Sequence, residues 1–383
     1  MPGRTLRIAR IAGIPVGVSP WWLAIVALIT WLLGASYFPE VIHGVSPIVS
    51  YALGLASALL LFVSILAHEF GHALVARRYG VEVEEIDLWL LGGISRMRGE
   101  AHDPRDELRY ALAGLAVTAV IAACFGVAAL LLPSSTPAAI RALVEYQAFV
   151  NALILIFNLL PAFPLDGGRV LRSLLWRRSG EIGKSTEIAA SVGRAFGYVM
   201  IGLGALELIS GAPQGLWLAL IGFFVVMAAG AQATSAQVHA ALSGVQASEL
   251  MSAPAVSIPE HTPVAHAARA YFRPYRYTAF PVVDELGRAV GMVSIAQVQA
   301  LARQRRALQE LAGVVDRDPG LIVHGDEDVA GLLERPAFAR VGRAVVVDAP
   351  GKPLGLISIT DVQRALRASR LADSAANRHA AAG

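Results

Sequence analysis

The chain has 383 residues, of which 55% are hydrophobic and only 16% are charged. Ordinary soluble domains are about 45–50% apolar and about 25% charged, so this composition excludes a simple soluble protein and indicates a membrane protein. The net charge is +3 and no basic run is interleaved with aromatic residues, so nucleic acid is excluded as a partner. The single cysteine, Cys124, excludes a disulfide framework and a cysteine-rich metal site.

The long apolar runs lie almost entirely within residues 20–240. Before them, the alternating residues around Arg7 and Arg10 predict a strand or a hairpin that leads into the membrane. A hydrocarbon core of about 30 Å needs roughly 20 helical residues. Six segments are long enough to cross it, near residues 20–38, 49–76, 107–132, 139–161, 190–210 and 214–238. Residues 1–240 are therefore predicted to form a membrane-embedded domain.

The basic residues of the connecting segments lie mostly on one side of the predicted membrane domain. They follow the second and fourth spans: Arg77, Arg78, Arg96, Arg98, Arg105, Arg109, Arg169, Arg172, Arg177, Arg178 and Lys184. The opposite connections carry only Arg141. Because basic loops stay in the cytoplasm, we expect a multi-pass protein of the cell membrane with both termini in the cytoplasm.

The second predicted span contains an HExxH motif, from His68 to His72. Side chains four residues apart share one face of a helix, so both imidazoles can reach one ion. Glu69 stands beside the first imidazole, where it can accept a proton from water instead of binding the metal. Ionisable side chains are costly at membrane depth and usually have a functional reason. The alternative is a hydrogen-bonded polar patch that holds helices together.

A zinc ion that performs chemistry needs a third protein ligand and an open fourth position. The candidate is Asp166, at the cytoplasmic end of the fourth predicted span. Pro161 and Pro164 stop the helix, and the glycines at 167 and 168 allow close backbone approach. We therefore expect the carboxylate on a bent segment rather than on a regular turn.

The depths of the three candidate ligands agree. At 1.5 Å per residue, His72 and His68 lie about 7 and 13 Å inside Arg77, which marks the cytoplasmic interface. Asp166 directly follows the fourth span on the same side, so it reaches a comparable level. The sequence therefore predicts a zinc site in the cytoplasmic third of the bilayer.

The motif at residues 68–72, together with residues 158–169, resembles the site-2 protease family of intramembrane metalloproteases. The resemblance covers residues 5–240 and implies one Zn²⁺ per chain, held by His68, His72 and Asp166, with Glu69 as the general base. It implies an intramembrane metalloendopeptidase that cleaves transmembrane segments of substrate proteins in signalling pathways.

The same resemblance implies three substrate-binding residues. Asn158 matches a family asparagine that helps to hold the substrate or the developing oxyanion, although a hydrogen bond between helices would also explain it. Residues 89–97 are interrupted by Gly92 and Gly93 and are typical of a strand in a small membrane-associated β-sheet. We expect an exposed strand near these glycines to hold an unwound stretch of substrate by edge pairing. One departure is visible at the third span, where the family often has an Ala-Gly-Pro motif and a nearby Asn. Here Ala113-Gly114 is followed by Leu115 and, later, Thr118, which weakens inferences about packing there but not about the metal.

Residues 245–300 and 313–368 form an imperfect internal repeat, in which residues 279–294 and 344–358 share the order of strand, glycine-containing turn and strand. Both copies resemble CBS domains, which work as pairs. Residues 241–372 are therefore predicted to be a cytoplasmic α/β CBS-pair domain, followed by a disordered tail at 373–383. The predicted fold is a polytopic α-helical membrane protein of about six transmembrane helices with a small β-sheet, joined to this domain.

CBS pairs often bind adenine nucleotides at the start of the last helix, and Ser358, Thr360 and Asp361 fit that pattern in the second copy. The first copy has Ser294 and Gln297, which lacks the carboxylate. The alternative is a pair that only dimerises the chain or gates substrate access. A homodimer through the CBS pair is expected on the same basis.

Two other classes of function fit part of the pattern. In an ion transporter gated by CBS domains, the His and acidic residues would line an ion path. No second copy of either metal motif accompanies them, as the repeated halves of a transporter would require. A catalytically silent protein that binds a membrane partner is the other alternative.

Overall fold

A computed structural model of the chain describes residues 6–89, 92–98, 103–303 and 308–368. Two compact units make it up, Met1–Ala236 and Gln237–Gly383. The predicted tail at 373–383 lies outside the described residues.

The first unit is mainly helical. Its helices are α1 (Pro20–Leu32), α2 (Phe38–Val41), α3 (Pro47–Arg78), α4 (Pro104–Leu131), α5 (Ala138–Leu159), α6 (Asp166–Ser179), α7 (Ile182–Ile209) and α8 (Gly215–Leu242), and a π-helical turn (Leu33–Tyr37) joins α1 to α2. Among the described residues, six helical segments are long and apolar enough to span a membrane: 20–41, α3, α4, α5, α7 and α8. The predicted six-span fold is confirmed.

The fifth span begins eight residues earlier than predicted, at Ile182 instead of residue 190. The polar residues of its first turns are accommodated within the helix. The hydroxyls of Ser185 and Thr186 donate to the carbonyls of Glu181 and Ile182, at 2.8 and 2.9 Å. These hydrogen bonds satisfy the polar groups locally, which is why they do not end the helix.

Four strands form one small sheet in the first unit: β1 (Leu6–Ile11), β2 (Ile14–Val18), β3 (Glu82–Trp89) and β4 (Gly92–Arg98), in that spatial order. The predicted N-terminal hairpin is confirmed, since β1 and β2 are antiparallel. Strand β2 then runs parallel to β3, with Val16 opposite Ile86. Strand β4 is antiparallel to β3, and within the described residues it pairs with no other strand. It therefore forms one edge of the sheet.

The second unit contains two three-stranded sheets of the same topology. The strands are β5 (Ile258–Pro259), β6 (Ala279–Val283) and β7 (Ala289–Ser294) in one sheet, and β8 (Ile322–His324), β9 (Arg343–Val347) and β10 (Pro353–Ser358) in the other. In each sheet the first strand is parallel to the second, and the second is antiparallel to the third. The repeat predicted from the sequence is therefore a structural repeat.

Short helices cover the two sheets. They are α9 (Ala247–Leu250), α10 (Val264–Ala267), α11 (Arg273–Tyr275), α12 (Ile295–Arg303), α13 (Val329–Leu333) and α14 (Pro336–Val341), with a π-helical turn (Ala268–Phe272), 3₁₀ turns (Leu311–Gly313 and Pro319–Leu321) and a final helical stretch at 359–368.

The opening segment of each repeat packs on the other repeat. Ala247 and Ser248 donate backbone hydrogen bonds to Glu327 and Gly325, both at 2.9 Å, and so join the second copy. In return, residues 309–316 pair with the first copy, where Asp316 and Met292 exchange backbone hydrogen bonds. The predicted boundaries at 245–300 and 313–368 describe the repeat in the sequence. In the folded unit, the opening segment of each repeat packs in the core of the other repeat.

Candidate metal centre

Helices α3 and α6 bring the three predicted metal ligands together. His68 and His72 share one face of α3 and are buried, with 8% and 7% of their surfaces exposed. The Asp166 Oδ2 atom lies 3.0 Å from His68 Nε2 and 3.1 Å from His72 Nε2. The two Nε2 atoms are 3.0 Å apart. In the part of the chain that the structure describes, this is the one group of three or more His, Cys, Asp or Glu side chains close enough to hold a metal ion.

Hydrogen bonds on the far side of each imidazole orient its metal-facing nitrogen. His72 Nδ1 is 2.7 Å from the carbonyl oxygen of Tyr110, which can only accept, so Nδ1 carries the proton. The Thr118 hydroxyl donates to the Gly114 carbonyl at 3.3 Å, and its oxygen accepts from His68 Nδ1 at 2.8 Å. With Nδ1 engaged in this way, Nε2 is the nitrogen of each imidazole that faces Asp166.

The donor set fits zinc. Two imidazole nitrogens and one carboxylate oxygen are common ligands of catalytic zinc sites, which keep a fourth position open. Ligand atoms held at about 2.0–2.1 Å around a tetrahedral zinc lie roughly 3.3 Å from one another, close to the separations between these three atoms. Three lone pairs at such short distances repel one another, and a shared divalent cation offsets that repulsion.

The third candidate ligand, Asp166, lies at the start of a regular helix, so the prediction that it sits on a bent segment was wrong. Helix α5 ends at Leu159, residues 160–165 are not helical, and Asp166 is the first residue of α6. The bend therefore precedes the carboxylate. Both following glycines are needed, since a Cβ at Gly167 would lie 2.3 Å from the Leu160 carbonyl oxygen and one at Gly168 would lie 2.5 Å from the Phe163 nitrogen.

The candidate general base lies beside strand β4. A Cβ atom at Gly93 would be 2.4 Å from Glu69 Cγ, so the strand passes directly against this side chain. Gly92 has a φ of +137°, a conformation that suits glycine. Asn158 is half-buried in the last turn of α5, and no hydrogen bond of its side chain is found among the described residues. Gly93 thus lies against Glu69, and among the described residues no hydrogen bond links the Asn158 side chain to the site.

Sequence reasoning missed the residues that orient the imidazoles. Gly114 packs against one of them, since a Cβ there would lie 2.2 Å from His72 Nε2. Thr118, four residues further along α4, holds the other. The sequence did carry a signal for these two residues, because a glycine and a threonine four residues apart share one face of an apolar helix. The contribution of the Tyr110 carbonyl has no signal in the sequence, because every residue carries a carbonyl group.

The predicted nucleotide residues lie together at the start of the last helix of the second unit. Ser358 donates to Asp361 Oδ2 through its backbone nitrogen at 3.0 Å and its hydroxyl at 2.6 Å, and Asp361 nitrogen donates back to the Ser358 hydroxyl at 3.3 Å. This is the geometry of a capping box. Thr360 is exposed at the same helix start, whereas Asp361 is buried.

The corresponding position of the first repeat is also used for capping. The Ser294 hydroxyl and backbone nitrogen both donate to Gln297 Oε1 at 2.8 Å. The Gln297 amide nitrogen in turn donates to the carbonyl of Val314 at 3.2 Å. Gln297 is therefore engaged in structural hydrogen bonds on both of its polar atoms.

A helical membrane domain with an HExxH motif identifies the class of this protein as membrane zinc metalloprotease. Within that class, the chain belongs to peptidase family M50, the site-2 protease family. The model of peptidase family M50 matches residues 56–138 and 134–200, and the CBS domain model matches residues 247–300. The chain is thus a multi-pass membrane protein with a C-terminal CBS pair, and its family implies zinc and a protein substrate.

Relatives align over nearly the whole chain. Rip3 of Mycobacterium tuberculosis, which its name assigns to the zinc metalloproteases, is 36% identical over 373 residues, covering 95% of this chain and 93% of its own length. Zinc metalloprotease MJ0392 of Methanocaldococcus jannaschii is 30% identical over 370 residues, covering 94% and 96%. The solved structure of a site-2 protease from Methanocaldococcus jannaschii is 30% identical, covers 60% of this chain and 95% of that chain, and has a TM-score of 0.41.

Proposed function

We propose that this protein is an intramembrane metalloendopeptidase, which hydrolyses peptide bonds within transmembrane segments of other membrane proteins. One Zn²⁺ per chain is held by His68, His72 and Asp166. The observation that carries the proposal is the convergence of their three ligand atoms, each pair 3.0–3.1 Å apart. Two of these atoms come from α3, a helix long and apolar enough to span the membrane, and the third comes from the start of α6.

Glu69 is the general base of the proposed reaction. Zinc, when bound, supplies a Lewis acid that polarises the scissile carbonyl and lowers the pKa of the attacking water. Glu69 accepts a proton from that water and delivers it to the leaving amide nitrogen. Its place next to His68 in the motif keeps the carboxylate near the metal ligands without making it one of them. Asn158 holds the substrate or the developing oxyanion.

The substrate binds in an extended form along strand β4. A transmembrane helix hides its peptide bonds in internal hydrogen bonds, so it must unwind before water can attack. An exposed strand edge replaces those lost hydrogen bonds by pairing with the unwound stretch. Gly93 supports this step because β4 touches Glu69 there, so a peptide added to this edge would run past the general base.

The protein lies in the cell membrane with both termini in the cytoplasm, and its CBS pair modulates activity or substrate access. The sidedness of the basic residues supports this orientation. An adenine nucleotide binds at Ser358, Thr360 and Asp361 and serves as the modulating ligand. The exposed Thr360 hydroxyl at the start of this helix supports that site. The CBS pair also joins two chains into a homodimer.

The test is cleavage of a single-span reporter protein by the purified full-length enzyme in lipid nanodiscs, with and without a zinc chelator. We expect cleavage within the span, loss of cleavage with chelator and recovery with added Zn²⁺. Glu69→Gln should retain zinc and lose activity by about 10²–10⁴-fold, the usual contribution of a general base. Glu187→Gln, an exposed position on α7, is the matched control and should behave as the wild type.

Other results would support the rival functions. Zinc-independent ion flux into liposomes, without cleavage, would indicate a transporter. Stable binding of the reporter with no cleavage by the zinc-loaded wild type would indicate a silent binding protein. Either result refutes the protease proposal, as does full activity of Glu69→Gln.

A further inference from the structure

Glu107 and Arg172 form a buried ion pair near the metal centre. Arg172 donates to Glu107 Oε1 through Nε at 2.7 Å and through Nη2 as well. Glu107 has no exposed surface, and Arg172 is 9% exposed. Neither residue is a candidate metal ligand or a candidate catalytic group, so the proposed reaction does not account for them.

Arg172 connects four parts of the first unit. It stands on α6, and Glu107 stands in the first turns of α4. Its Nη1 atom also donates to the Thr186 hydroxyl of α7 at 3.5 Å. Its guanidinium lies over the ring of Phe163, 5.5 Å from the ring centroid. One side chain thus holds α6 against α4, α7 and the segment that leads into Asp166.

Phe163 anchors that segment. Its side chain is buried against Ala189 and Ala190 of α7 and Ala229 and Ala233 of α8. Its carbonyl lies against Gly193, where a Cβ would be only 2.2 Å away. The residues just before the third ligand are therefore fixed on one side by two packed helices and on the other by the Arg172 guanidinium.

The ion pair lies close to both halves of the metal centre along the chain. Glu107 precedes Tyr110, whose carbonyl orients His72, by three residues, or about 4.5 Å of helix. Arg172 follows Asp166 by six residues on the same helix, or about 9 Å. A shift of α6 along α4 would therefore change the distance between the carboxylate and the imidazole that must share one ion.

A buried ion pair is a poor source of stability. Removing two charges from water is costly, and apolar side chains of similar size often stabilise a protein as well or better. What the pair supplies is fixed geometry, because the planar guanidinium engages a carboxylate in a defined orientation. Geometry rather than stability is thus the property that explains its place here.

We propose that Glu107 and Arg172 are a positioning pair that holds helix α6 in register with helix α4, so that Asp166 meets the two imidazoles at one metal ion. The inference rests on the proposed metal centre but concerns metal affinity and ligand geometry, which are measured without any substrate.

The experiment compares Glu107→Gln, Arg172→Met and Arg172→Lys in the full-length protein in nanodiscs. Zinc affinity is measured by competition with a chromophoric chelator, ligand geometry by the visible absorption of the Co²⁺-substituted protein, and stability by the melting temperature of the metal-free protein. Asp106→Asn is the control, because it removes the neighbouring Asp106–Arg109 pair on α4, which is partly exposed.

We expect the zinc Kd of Glu107→Gln and Arg172→Met to rise at least tenfold, with an altered Co²⁺ spectrum. Arg172→Lys keeps the charge but loses the forked geometry. It should therefore melt near the wild-type temperature and still bind zinc several-fold more weakly. Asp106→Asn should match the wild type in all three measurements.

Wild-type zinc affinity and Co²⁺ spectra in all three variants would overturn the proposal, including the case in which only the melting temperature falls. If Glu107→Gln and Arg172→Met do not fold, wild-type zinc affinity and a wild-type Co²⁺ spectrum in Arg172→Lys alone would overturn the proposal. A wild-type protein that binds zinc tightly but never cleaves a reporter would refute the protease function and leave this inference intact.

Discussion

Replacing Gly114 with alanine is expected to destroy the metal centre through a single methyl group. The added Cβ would lie 2.2 Å from His72 Nε2 and 2.3 Å from Cε1. Non-bonded carbon and nitrogen atoms normally stay beyond about 3.5 Å, so the imidazole or the helix must move by roughly 1.3 Å. Zinc sites tolerate deviations of only about 0.2 Å in ligand distance, and the required shift is several times larger.

We expect the zinc Kd of Gly114→Ala to rise by at least about 100-fold, the upper range for changes that displace a ligand through its surroundings. Chelator competition on the purified protein measures it, and cleavage of the single-span reporter should fall in parallel. Gly126→Ala is a close control on the same helix, because a Cβ there meets no atom of the described residues within 4 Å. It should bind zinc normally and gain about 0.5–1 kcal/mol of stability from the higher helix propensity of alanine. Normal zinc affinity in Gly114→Ala would refute the reasoning.

Three further predictions follow from individual contacts. Thr118→Val removes the hydroxyl that accepts from His68 Nδ1, so zinc affinity should fall about tenfold. An unchanged zinc Kd would show that this hydroxyl does not orient the ring. Gly93→Ala places a Cβ 2.4 Å from Glu69 Cγ; zinc content should stay normal while kcat falls, and a change in zinc content alone would contradict the assignment. In the second unit, the Glu310 carboxylate accepts a hydrogen bond from His261 Nδ1 at 3.3 Å, which raises the pKa of His261. An NMR titration should therefore give a midpoint above about 6.5 that Glu310→Gln lowers. Any stabilisation by this contact is present below about pH 6.5 and is lost as pH rises through the raised pKa.

Much of the metal centre could be predicted because its chemistry is local. The spacing of His68 and His72 follows from helical periodicity, and the ionisable residues stood out against an apolar background. The depth argument linked Asp166 to them across almost a hundred residues, since a bilayer allows so few positions for a carboxylate at that level. The six spans follow from the same constraint.

What the sequence could not supply depends on how helices pack. The orienting carbonyl of Tyr110 belongs to the backbone and is specified only once α4 lies against α3. The departure from the family pattern after Ala113-Gly114 limited what could be inferred about packing at the third span, where Gly114 makes room for an imidazole. The bent segment was expected at Asp166 itself, whereas the bend lies at residues 160–165 and Asp166 begins a regular helix. The close backbone approach expected of Gly167 and Gly168 is present in the first turn of that helix.

The repeat in the second unit shows another limit of sequence analysis. Similar segments were correctly aligned with one another, and both sheets have the predicted strand order. The exchange of the opening segments could not be predicted, because it depends on how the two repeats pack against each other and not on the pattern within either repeat.

The order of strands in the first unit has a consequence for biosynthesis. Strand β2 is complete at residue 18, yet its parallel partner β3 begins at residue 82, after two spans have been synthesised. The hairpin must therefore wait at the membrane surface while α1 and α3 insert, and it can be captured only afterwards. A mutation that slowed insertion of either helix would delay assembly of the sheet and of the strand beside Glu69. Until the sheet forms, such a protein would be inactive even where it is already inserted, a defect that its amount in the membrane would not reveal.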